Sequence, residues 1–168
     1  MNSKSLRGVT THRGGNVGKL PFIGFIVGTA AILAGAIVNL ALDKILGVRL
    51  ELYHGVSTFS PIWAFDLFVI PFIAGLVVSM IYGLGGKLLC YFSPIIVRGW
   101  SYYEAVTNPE VLANAGEGVT VLPIAFWILI LIVAIEAAAF GGAFGEVMVK
   151  KTYGRRPRYM VYKNKNSP

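Results

Sequence analysis

The sequence predicts an all-α integral membrane protein with four transmembrane helices and basic terminal tails. Three observations predict it. First, 55% of the 168 residues are hydrophobic and 14% are charged, with a mean hydropathy of +0.67. Soluble domains usually carry about 25% charged residues. Second, apolar stretches long enough for a ~30 Å hydrocarbon layer recur along the chain. Third, 15 Lys and Arg face 8 Asp and Glu, giving a net charge of +7. Most of the bases lie in two terminal tails, as in the cytoplasmic flanks of membrane proteins. One soluble core of this size could not hide so many apolar residues. Disorder, a fibrous repeat and an ordinary cytosolic enzyme are excluded on the same grounds.

Residues 1–19 form a basic arm carrying Lys4, Arg7, His12, Arg13 and Lys19, and no acid precedes Asp43. The arm is expected to be retained on the cytoplasmic side, with an uncleaved organellar signal as the alternative. The transmembrane domain is expected over 20–149. Its first span, 20–42, is broken only by Thr29 and Asn39. The connection that follows carries Arg49, Glu51 and His54 and ends in Ser60-Pro61. The second span, 62–82, has Asp66 near one end and Pro71 inside, a position membrane helices tolerate.

Gly83-Leu84-Gly85-Gly86-Lys87 predicts a tight turn. It is not a phosphate loop, because Leu88 stands where Ser or Thr belongs and no strand precedes it. The third span, 84–103, is short or re-entrant and contains Pro94. It reaches membrane length only if Lys87 and Arg98 snorkel and Trp100, Tyr102 and Tyr103 form an interfacial belt. Asn108-Pro109 predicts a helix start for 110–115. The last span, 122–149, is roughly 42 Å long as a helix and should tilt or project.

Charge placement decides the topology. Four crossings put twelve of the fifteen bases on one side with both termini, whereas three crossings divide them six to nine. The positive-inside rule prefers four, with both termini cytoplasmic. The expected membrane is a bacterial inner membrane, or alternatively an organellar inner membrane. The C-terminal tail, 150–168, holds seven bases and no acid. It is expected to lie against anionic headgroups, each base contributing on the order of 1 kcal/mol. No recognition motif accompanies this charge, so nucleic acid is not an expected partner.

Small residues recur at four-residue spacing: Gly24 and Gly28; Gly75 and Ser79; Gly141 and Gly145. Such ridges let helix backbones approach closely. Glu136 stands apart, midway between Leu122 and Lys150. An acid at that depth is costly unless it is paired, protonated or wetted, so it marks a proton or ion site or a buried polar contact. Gly145 falls opposite Glu136 on a helical wheel, so the last helix is expected to pack on two sides, one of them covered by another subunit. Asp66 and Glu146, near span ends, are expected to be solvated at headgroup level.

No cofactor or metal is expected. His12 and His54 both lie outside the apolar spans, and no Cys/His cluster has ligand spacing. Cys90 reads as apolar filler. No nucleophile-base constellation is legible, so no enzyme is expected. The sequence therefore points to an accessory subunit of a larger membrane complex, an energy-converting one among the candidates. The alternative is a small homo-oligomeric transporter or channel using Glu136.

Overall fold

The computed structural model describes residues 19–153. The basic arms before residue 19 and after residue 153 lie outside the described residues. All long elements are helical, and three are long and apolar enough to cross a membrane: Ile23–Leu46, Gly55–Tyr82 and Ile124–Thr152. The chain is therefore all-α and membrane-like.

Helix α1, Lys19–Leu46, ends because Gly47 turns left-handed at φ 66° and returns its N–H to the Asp43 carbonyl. A two-residue strand β1, Leu52–Tyr53, and a 3-10 turn, Gly55–Thr58, lead to α2, Pro61–Tyr82. Ser60 caps α2 by accepting from the Trp63 N–H at 3.1 Å, and Pro61 occupies the first turn, where its missing N–H costs nothing. Pro71 lies inside α2 and is buried.

The glycine turn predicted after α2 is present, with Gly83 and Gly85 at φ 91° and 89°. It feeds a single turn α3, Gly86–Leu89, and then α4, Phe92–Thr107. Asn108 caps α5, Pro109–Ala115, by accepting from the Glu110 N–H at 3.0 Å. Strand β2, Thr120–Val121, pairs antiparallel with β1, Leu52 opposite Val121 and Tyr53 opposite Thr120. The last helix, α6, Ile124–Tyr153, carries Lys150 and Lys151 in its final turn, so the C-terminal tail begins as helix.

Helix α2 is the hub and touches α1, α3, α4 and α6. The β1–β2 pair and the Leu122 N–H to Glu51 carbonyl bond tie together the loops at one end of the bundle. Tyr102 of α4 reaches the same end, its hydroxyl donating to the Leu122 carbonyl at 3.2 Å. At the other end the Lys87 N–H donates to Glu146 Oε1 at 3.0 Å. The chain thus runs along the bundle four times: α1, α2, the α3–α4 pair, and α6.

The small-residue ridges meet inside the bundle. A Cβ on Gly75 would strike the Ala138 carbonyl, and one on Gly141 would strike the Phe72 carbonyl. The two glycines sit reciprocally across the α2–α6 contact, and helix backbones touch there. Ser79 fills a similar notch, with its Cα 2.8 Å from a Cβ on Gly86 and its Cβ 2.8 Å from one on Gly145. On α1, Gly28 is buried against Tyr82 and Leu89, whereas Gly24 is half-buried.

Candidate functional site

Arg98 lies on α4, where the sequence predicted a snorkelling side chain. Instead it is 1% exposed and held by three carboxylates from three other segments. Its Nη2 donates to Asp43 Oδ1 of α1 at 3.0 Å and to Asp66 Oδ2 of α2 at 3.2 Å. Its Nη1 stands 3.8 Å from Glu51 Oε1, beside β1, an ion pair without a hydrogen bond. Asp66 is fully buried, which corrects the expectation that headgroup-level water solvates it. A planar guanidinium suits this task because its fork offers several donors in one fixed plane.

The charges do not balance: one guanidinium faces three carboxylates. Burial pushes the Glu51 carboxyl above the usual carboxylate range, and the attraction of Arg98 draws it back. Glu51 Oε1, Asp66 Oδ1 and Arg98 Nε hydrogen-bond no described residue. The same holds for the amide of Asn39, which is wholly buried one turn before Asp43 on the same face of α1. A cavity of about 620 Å³ opens beside the cluster, lined among others by Asp43, Glu51, Arg98, Trp100 and Glu104. Arg49 and Glu104 pair loosely across its rim at 4.0 Å.

This arrangement is an electrostatic clasp. It fastens α4 to α1, α2 and the first loop at the end of the bundle where β1 and β2 pair. Among the described residues, no group of three or more His, Cys, Asp or Glu is arranged to hold a metal ion. Cys90 is buried, its thiol 3.1 Å from the carbonyls of Gly75 and Gly86 and 3.4 Å from Ser79 Oγ. It packs the α3–α2 contact as a small hydrophobe with a weak donor.

Sequence reasoning missed the clasp, although a signal was present. Asp43 stands near the C-terminal end of its segment, Asp66 near the N-terminal end of the next and Arg98 near the C-terminal end of the third, and hence at one depth in an antiparallel bundle. Opposite charges at one depth could have been paired on that ground. Glu51 carried no such mark, because it lies in a loop.

Glu136 sits where the sequence placed it, in the middle of α6. Its side chain is exposed on the outer surface of the bundle, and it makes no hydrogen bond or ion pair with a described residue. Gly141 and Gly145 on the opposite face are buried against α2. The small-residue seam and the carboxylate are thus separate features: the seam is used within the chain, and the carboxylate is not. Glu146 is half-buried and accepts the Lys87 N–H that opens α3, a role the sequence did not suggest.

Comparison with known protein families, with curated proteins and with solved structures finds no match.

Proposed function

We propose that the chain is an accessory, structural subunit of a larger membrane complex, without catalytic chemistry of its own. The observation that carries this reading is Glu136, a carboxylate halfway along a membrane-length helix and turned away from the rest of the chain. A charged side chain at bilayer centre costs roughly 3 kcal/mol or more when lipid surrounds it. Another polypeptide lying over that face removes the cost. The Arg98 clasp and the Gly75–Gly141 contact support the same reading, since both hold helices in place.

Purification in mild detergent tests it. Different polypeptides are expected to co-purify in fixed ratio. A lone homo-oligomer would overturn the reading in favour of a small transporter or channel that uses Glu136 as a proton or ion site.

The topology proposed with this function has four crossings, with the α3–α4 pair as the third in chain order. Lys87 and the basic arms then share the cytoplasmic side of a bacterial inner membrane, an organellar inner membrane being the alternative. The four runs along the bundle support it, because an even number returns the chain to its starting end. Tags fused at Met1 and Pro168 are expected to be accessible from the same face of sealed vesicles. Accessibility from opposite faces would exclude four crossings.

A further inference from the structure

We infer that Glu136 docks a transmembrane helix of a different polypeptide that carries a lysine or arginine at the same depth. This inference rests on the accessory-subunit reading and adds the chemistry of the partner.

Leu129, Ile132, Phe140, Phe144 and Val147 are exposed on the same side of α6 as Glu136. At 100° per residue all five fall within about 80° of Glu136 on the wheel. Lipid alone would satisfy those apolar side chains. It does not satisfy the carboxylate, whose short stem cannot reach the interface from mid-span as a Lys or Arg stem can. Ala139 and Ala143, one and two turns further on, leave room beside Glu136 for a second backbone to come close.

Charge complementarity selects the occupant. In a low-dielectric environment an opposite charge is the group that best keeps a carboxylate ionised. Among the described residues, none can supply it to a second copy of the chain. Arg98 is enclosed by its three carboxylates, and Lys44, Arg49, Lys87, Lys150 and Lys151 lie at or beyond helix ends. A two-fold partner would set Glu136 against Glu136. The base must therefore come from another chain.

The test uses the full chain in its native membrane, with a photoreactive benzophenone side chain at position 140. The expected adduct joins a foreign transmembrane peptide with Lys or Arg at the depth of Glu136. Glu136→Lys should lower its yield at least about tenfold, and changing the partner's base to Glu should restore it. Glu136→Gln, nearly isosteric, is the second variant and should also lower the yield. An undiminished yield with Gln would mean a neutral hydrogen bond and would overturn the ionic pairing. A foreign helix without a base would overturn the inference and leave the subunit reading standing. Adducts only to lipid or to a second copy would remove both.

Discussion

Arg98→Ala is expected to be the most damaging single substitution in this protein. It leaves Asp43, Glu51 and Asp66 around an empty space, with Asp66 fully buried and no counter-charge. Removing one partner of a buried ion pair typically costs about 3–5 kcal/mol, because the remaining charge keeps its desolvation penalty. The thermal transition in detergent should fall steeply, and the protein should aggregate on mild heating. Arg98→Lys should recover only part of the loss: its ammonium has donors enough for Asp43 and Asp66, but it lacks the second nitrogen that the guanidinium turns toward Glu51. The quadruple variant Arg98→Met, Asp43→Asn, Glu51→Gln, Asp66→Asn should recover much of the loss by removing the uncompensated charges together. A wild-type transition in Arg98→Ala would mean that water reaches the cluster freely and that the clasp holds nothing.

The second large effect is expected at the α2–α6 contact. Gly75→Ala and Gly141→Ala each place a methyl group against a backbone carbonyl of the facing helix, Ala138 in one case and Phe72 in the other. A flexible side chain could move aside, but a carbonyl within a helix cannot without carrying the helix with it. Overpacking of this kind costs about 1–3 kcal/mol or more. The opposing gain from replacing a helical glycine by alanine is at most about 1 kcal/mol, so clash should win. Gly99→Ala on α4 is the control: nothing lies within 4 Å of the added methyl, so only the propensity gain remains. Thermal stability should therefore fall at positions 75 and 141 and hold or rise at 99. Equal behaviour at all three would show that α2 and α6 are not in backbone contact.

Both effects depend on residues whose importance was unequally visible before folding. The glycine ridges at 75 and 141 were legible because a helix repeats every 3.6 residues, so small residues four apart must share a face. Their reciprocal fit was not, because the wheel of one helix says nothing about which helix comes to meet it. Ten uncharged residues before Arg98 are too few to span, so the sequence alone points to an interfacial snorkeller there. The α3–α4 break at Cys90–Tyr91 lets the segment run back along the bundle and carry Arg98 inward. Asp66 and Asp43 were then neighbours, although they lie 32 and 55 residues away in sequence.

What is local was legible along the chain: the three long apolar helices, the start of the short helix at Asn108-Pro109, the glycine turn after α2, and the position of Glu136 midway along α6. Each follows from composition, hydrogen-bonding chemistry or helical period within a few consecutive residues. It took the packing of the helices to gather Asp43, Glu51 and Asp66 around one guanidinium, to set the Gly75 and Gly141 ridges against each other, and to leave Glu136 on the outer surface. Those outcomes depend on how helices pack side by side, where small residues permit backbone contact and a buried charge must find its opposite. No property of a single helix contains that information.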